Sequence, residues 1–259
     1  MATVVGSGPN GLAAAVALAR AGYDVRVLEA APAFGGGVGT AELTLPGFRH
    51  DVGSAVHPAA LTSRFFRAFG LRERVEWLIP EASYAHPLDG GRAAIAWRDL
   101  DRTAEALGPD ARAWRAVIRP LSTHLDGVLD FTGSQLLRMP RHPVTAVRFG
   151  TRVLQLGSTL GRGTFSTEEA NALITGVFAH GNTPLPSIAA AASGLFLAAH
   201  AHIATGWAYP RGGAQAIADA LADDLRAHGG VIETDTRVDS LAGLDYGDPD
   251  AGDLLLLDA

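Results

Sequence analysis

The chain of 259 residues has no cysteine and no lysine, and all 21 of its basic residues are arginines. Without thiols there is no disulfide staple, no redox-active dithiol, no cysteinyl link to a cofactor and no thiolate metal site, while the compartment stays open. Without lysine there is no Schiff-base chemistry, no P-loop lysine and no Tyr-x-x-x-Lys pair. A formal net charge of −6 argues against nucleic acid as a partner. Long apolar runs are lacking too. The most hydrophobic segment, Ile188 to Ala204, is alanine-rich and interrupted by Gly194, His200 and His202. It falls short of the roughly 20 strongly apolar residues that a spanning helix requires. It reads as a buried helix lining a greasy cavity, so no transmembrane segment is expected, and contact with a membrane surface stays open. The first strand begins within three residues of Met1, which leaves no room for a secretory signal and makes a cytoplasmic location the expectation.

What is present begins at Thr3-Val4-Val5-Gly6-Ser7-Gly8-Pro9-Asn10-Gly11 and runs through an apolar stretch to Asp24-Val25-Arg26-Val27-Leu28-Glu29. The order is strand, glycine turn, helix, strand, acid. The three glycines do different things. Gly6 permits the turn, Gly8 admits a pyrophosphate to the backbone, and Gly11 lets the helix approach the strand. Amides at the helix start, at the positive end of its dipole, then face phosphate. Glu29, eighteen residues after Gly11, is placed to accept hydrogen bonds from an adenosine ribose. A lone glycine motif is weak evidence. This one follows a β-branched strand, opens a helix with no polar residue from Leu12 to Ala19, and precedes a second strand ending in an acid, as the dinucleotide fingerprint requires.

The pattern predicts an α/β fold, a Rossmann-like parallel sheet interrupted by a mixed, largely helical domain. Boundaries are expected near 1–75 for the first part of the dinucleotide domain, 76–205 for the helical substrate domain and 206–259 for the second part. Strand-like pieces at Val75–Ile79, Tyr84–Pro87 and Ala93–Trp97 suggest a small hairpin sheet turning at Asp89-Gly90-Gly91. Helices are predicted near 99–107, 110–130, 143–156, 167–180 and 187–204, the fourth opened by a capping box at Ser166-Thr167-Glu168-Glu169. After Tyr209 come a glycine pair, an amphipathic helix to His228, strands at Val231–Thr234 and Thr236–Leu241, and Leu254 to Leu257 in the pattern of a buried central strand. No internal repeat, low-complexity tract or long charge run is present.

These residues resemble the FAD-dependent oxidoreductases of the phytoene (carotenoid) desaturase and amine oxidase type, and within them most nearly the pyridine nucleotide-disulphide oxidoreductase domain-containing protein 2-like proteins. The resemblance rests on Gly6 to Gly11, Val27-Leu28-Glu29-Ala30, Gly35-Gly36-Gly37, Leu45 to Gly53 and Tyr209 to Gln215. It implies FAD as cofactor. Gly6, Gly8, Pro9, Asn10, Gly11, Glu29 and Ala30 would hold its ADP half, and Gly35, Gly36 and Gly37 would wrap the pyrophosphate and ribityl chain. Asp51 and Gly53 would lie close to the flavin, and Val238 would meet the adenine through its main chain. Two departures stand out. Relatives commonly carry an arginine directly after the glycine pair where this chain has Gly37. The resemblance also covers only an N-terminal half, so a second chain or a C-terminal half would complete the fold.

The implied activity is dehydrogenation of a hydrophobic small molecule, with oxygen or a quinone as electron acceptor. Two other functions compete: a noncatalytic or partner-dependent subunit that keeps the fold, and an NAD-dependent dehydrogenase sharing Gly6 to Gly11 and Glu29. His57 is the one candidate base, against a structural histidine ahead of Pro58. Asp51 either orients its loop through backbone amides or influences the flavin. Arg49 and Arg211 are either charge near the cofactor or solvated side chains. His200 and His202, two apart on a helix, point to different faces and no metal site is expected.

Overall fold

In a computed structural model the described residues are 1–133, 138–242 and 244–258. In chain order the elements are β1 (Ala2–Val5), α1 (Pro9–Arg20), β2 (Val25–Leu28), β3 (Thr40–Glu42), β4 (Arg49–Asp51), α2 (Arg64–Phe69), α3 (Leu71–Arg74) and β5 (Trp77–Leu78). Next are β6 (Ala82–Leu88), β7 (Arg92–Trp97), α4 (Leu100–Ala106), α5 (Ala111–Thr123), α6 (Leu125–Thr132), α7 (Pro143–Leu156), α8 (Glu168–Phe178) and α9 (Ile188–Ala201). The last are β8 (Tyr209–Pro210), α10 (Gln215–Ala227), β9 (Val231–Glu233) and β10 (Leu254–Leu257). The chain divides into two compact units, Met1–Leu78 with Tyr209–Ala259, and Ile79–Ala208.

The first unit is built on a parallel sheet in the order β10-β1-β2-β9. Its strands come from the two ends of the sequence, the α/β architecture the sequence predicts. All four residues of β1 are buried, as a parallel strand covered on both faces must be. Leu12, Val16 and Ala19 of α1 share a core with Ile217, Leu221 and Leu225 of α10. The seam carries one buried acid. Asp224 accepts a two-pronged bond from Arg20, at 2.8 and 2.6 Å, and Arg74 lies 3.0 Å from the same carboxylate. That paired geometry is what permits a charge there.

Two expectations about this unit need correction. The strand near Val75–Ile79 does not join the hairpin: β5 pairs antiparallel with β8, and the Arg211 amide extends the pairing to the Glu76 carbonyl at 2.9 Å. Thr236–Leu241 forms no strand. Asp235, at φ +54°, turns the chain, and the Asp235 and Thr236 amides bond the Ala31 and Glu29 carbonyls, carrying the segment across the end of β2. β10 lies at one edge of the sheet among the described residues.

In the second unit β6 and β7 form the hairpin around Asp89–Gly91. The helices enclose a core of Trp114, Ile118, Leu121, Leu173 and Leu195, each fully buried. The helix predicted over 110–130 is two, α5 and α6, because at His124 the imidazole Nδ1, not an amide, bonds the Pro120 carbonyl at 3.1 Å. The cap of α8 also differs. Thr167, not Ser166, accepts the Ala170 amide at 3.2 Å, leaving the Ser166 hydroxyl for Asp110 at 3.0 Å. His200 and His202 bond the Phe196 and Trp97 carbonyls through Nδ1. No group of three metal-ligating side chains occurs among the described residues. No helix among them is long and apolar enough to cross a membrane.

Candidate functional site

Strands β2 and β10 flank β1 on its two sides with Leu28 and Leu257 both opposite Val5. The next residue of each strand is an acid, Glu29 on one side and Asp258 on the other. Between them β1 ends in Gly6, whose φ of +99° turns the chain away from the sheet and suits glycine. The result is a cleft of about 410 Å³ at the carboxyl ends of the parallel strands, lined by Gly6, Ser7, Gly8, Glu29, Gly36 and Asp258 together with Ala30, Gly37, Arg237 and Val238. Open α/β sheets bind ligands at that end.

Glycine keeps this cleft bare. A Cβ on Gly36 would meet the Gly8 Cα at 3.0 Å, and one on Gly8 would meet the Asp258 Oδ2 at 3.2 Å. Gly8 caps α1 without a side-chain bond. Of the first-turn amides, Pro9 has none to give, and that of Gly11 donates to the Asp258 carboxylate at 2.7 Å. Asn10 supplies the remaining donor, without a partner among the described residues.

Glu29 accepts the Ser7 amide at 3.0 Å, the Ser7 hydroxyl, and the Ala31 amide at 2.8 Å. Burial pushes its carboxyl up, but those hydrogen bonds outweigh burial and hold it below the ordinary carboxylate range. The Ala30 backbone adds a further hydrogen bond, and the carboxylate stands in the lining of the cleft.

The other predicted residues fall in two groups. Gly6, Gly8, Glu29, Ala30, Gly36, Gly37 and Val238 line the cleft, whereas Pro9, Asn10, Gly11, Gly35, Asp51 and Gly53 are outside its lining. The Asp51 carboxylate accepts the Thr40 hydroxyl at 2.6 Å and the Ala214 amide at 2.8 Å, tying β4 to the start of α10. Gly53 packs on Gly37, whose carbonyl a Cβ would approach to 2.5 Å. Arg211 pairs with Glu76 at 2.6 Å and is exposed, and Arg49 is exposed in β4. His57 is half-buried beside Trp77, and its Nε2 has no partner among the described residues. Burial pushes its pKa down, opposed by the Asp51 charge and a backbone bond at Ser54.

Sequence reasoning missed six lining residues, Val5, Ser7, Leu28, Thr236, Arg237 and Asp258, of which the last two are ionisable. Asp258 follows a buried strand as Glu29 does, and that parallel was the available signal. Arg237 is the one basic side chain in the lining, although it is exposed and bonded to Asp239 at 2.7 Å. A bare glycine cradle, an unpartnered helix amide and an ionised acid in the lining, all at the strand ends, suit a ribose and a pyrophosphate, so the residues present fit an adenine dinucleotide.

Comparison with known proteins agrees. The family profile of flavin-containing amine oxidoreductases matches residues 10–256. No curated protein matches the chain. Solved structures share the fold. A cyclohexylamine oxidase from Brevibacterium oxydans is 19% identical over 90% of this chain and 50% of its own, with a TM-score of 0.52. A fatty acid isomerase from P. acnes that produces CLA is 20% identical over 90% and 51%, at 0.53. A Rab GDI from Plasmodium falciparum is 12% identical over 96% and 60%, at 0.54. The chain thus spans between about half and three fifths of the length of these structures. Matched by that profile over nearly its whole length, the chain belongs to the flavin-containing amine oxidoreductase family, with FAD as its cofactor.

Proposed function

We propose that the protein is an FAD-dependent oxidoreductase, or the N-terminal half or subunit of one, which dehydrogenates a hydrophobic organic molecule in the manner of phytoene desaturases. Within the family it belongs, on this reading, with the pyridine nucleotide-disulphide oxidoreductase domain-containing protein 2-like group and works in the cytoplasm. The observation that carries the proposal is the glycine cleft between Glu29 and Asp258 at the strand ends.

The residues divide the work. Glu29, ionised at neutral pH, takes the ribose hydroxyls. The Asn10 amide and the bare edge at Gly8 face the pyrophosphate, while Gly35 to Gly37 extend that edge. Val238 offers its main chain to the adenine, and Asp51 with Gly53 fixes the loop that carries His57. Bound FAD supplies two-electron oxidation. His57, with its pKa lowered by burial, is neutral at pH 7 and is the candidate to accept a substrate proton through Nε2, which is buried and without a partner among the described residues. Residues 1–75 and 206–259 make the cofactor domain and 76–205 the substrate domain. A C-terminal half or a second chain completes the envelope.

A second reading, a noncatalytic subunit, draws support from the charge of the cleft: two carboxylates against one arginine already bonded to Asp239. Visible absorption of the purified protein, titrated with FAD, separates the two. The enzyme reading expects a flavin spectrum that Gly8→Val abolishes, because a branched side chain would stand where phosphate must meet backbone. A protein that stays colourless in excess FAD, or a Gly8→Val variant that keeps full flavin, overturns it.

A further inference from the structure

From Phe131 to Thr167 the sequence holds five arginines and neither aspartate nor glutamate, in a chain of formal net charge −6. Helix α7 lies inside this stretch. Its inner face, Thr145, Ala146, Phe149 and Val153, is buried. At about 100° per residue, the opposite arc presents Leu154, Val147, Thr151, Val144, Gln155 and Arg148 in turn. An outward helix face in a globular unit is ordinarily polar. Here Val144, Val147 and Leu154 are 63, 65 and 55% exposed.

Beside that arc is a cleft of about 300 Å³ between α5 and α7, walled by Val117, Pro120 and Leu121 and by Arg148, Thr151 and Arg152. The two arginines stand one turn apart. Neither has a carboxylate partner among the described residues: Arg152 bonds the Gln155 amide oxygen at 2.6 Å and the Ala116 carbonyl at 3.4 Å. Thr151 turns its hydroxyl inward to the Arg148 carbonyl at 2.9 Å. The face is therefore apolar and cationic, and its outward hydrogen-bonding groups are chiefly the arginine guanidinium donors. A protein interface ordinarily carries many directional hydrogen bonds, whereas a lipid surface asks only for apolar insertion and positive charge.

We propose that the outer face of α7 docks on anionic bilayers, with Val144, Val147 and Leu154 entering the headgroup boundary and Arg148 and Arg152 meeting lipid phosphates. No cofactor enters the docking, so it is independent of the flavin reading and fails separately from it.

Flotation of the purified chain with vesicles tests it. The chain floats with vesicles of equal parts phosphatidylcholine and phosphatidylglycerol, stays behind with phosphatidylcholine alone, and is released by salt. Replacing Arg148 and Arg152 by glutamine lowers partitioning about fivefold for each charge. Combining Val147→Glu with Leu154→Glu removes it, and because both side chains are exposed the variant keeps its melting temperature. Equal partitioning to both vesicles, none to the anionic ones, or no loss in the double glutamate variant overturns the proposal. So does a dimer without flotation that the same variant splits, since the face then belongs to a second copy.

Discussion

Glu29 and Asp110 each collect the amide and hydroxyl of a serine from a distant stretch of chain, one in each compact unit. Asp110 is 4% exposed and receives the Ser166 amide and hydroxyl at 3.0 Å and the Thr167 amide and hydroxyl at 2.7 and 2.6 Å. Burial pushes its carboxyl up, and these bonds more than compensate. With every acceptor position filled, it joins the start of α8 to the start of α5 and has nothing left for a ligand. Glu29 is only partly buried and faces a cleft. A saturated polar group that joins two helix starts holds a fold, while one that lines a cleft at a strand end is placed for binding.

The contrast sets an order of effects. Asp110→Ala takes the acceptor from four donors on the exposed Ser166 and the half-buried Thr167 and is expected to cost on the order of 3 kcal/mol in chemical denaturation. A loss below about 1 kcal/mol would mean that solvent reaches the site.

His202 extends the same logic to a titrating group. Its Nδ1 bonds the Trp97 carbonyl at 2.7 Å, and its Nε2 is buried without a partner among the described residues. Burial lowers its pKa from 6.5 to about 4, against smaller opposing effects of the Trp97 bond and the Asp99 charge. Because the folded value is the lower one, the unfolded chain binds more protons between these limits. Stability is unaffected above pH 6.5 and falls by about 3 kcal/mol as pH drops toward 4. His202→Gln should flatten this slope in denaturation midpoints measured across that range.

The smallest effects concern binding and have opposite signs. Glu29→Gln keeps an acceptor but loses the charge that grips the ribose, and should weaken FAD binding about tenfold, roughly 1.4 kcal/mol. Asp258→Asn still accepts the Gly11 amide but removes an anion beside the phosphates, and should tighten it about fivefold, roughly 1 kcal/mol. Fluorescence titration with FAD reads both. A tighter Glu29→Gln or a weaker Asp258→Asn would erase the difference between the two acids of the cleft.

Much of this was legible in residue order. The glycine spacing, the buried β-branched strand and the acid after β2 announced the βαβ unit, because each depends on a local requirement of turn, burial or strand length. The later helices were legible for the same reason, with boundaries that shifted where a side chain replaced an amide, as at His124 and Thr167.

Pairings between distant segments were not legible. That β5 joins β8, that Asp258 returns to the first turn of α1, and that Ser166 serves Asp110 and not its own helix all depend on which surfaces meet after collapse. Local chemistry specifies what a segment can form. Long-range packing selects its partner, since a carboxylate written near the end of a chain shows its target only when parallel strands set it, through the register of leucine on valine, against the amide of Gly11.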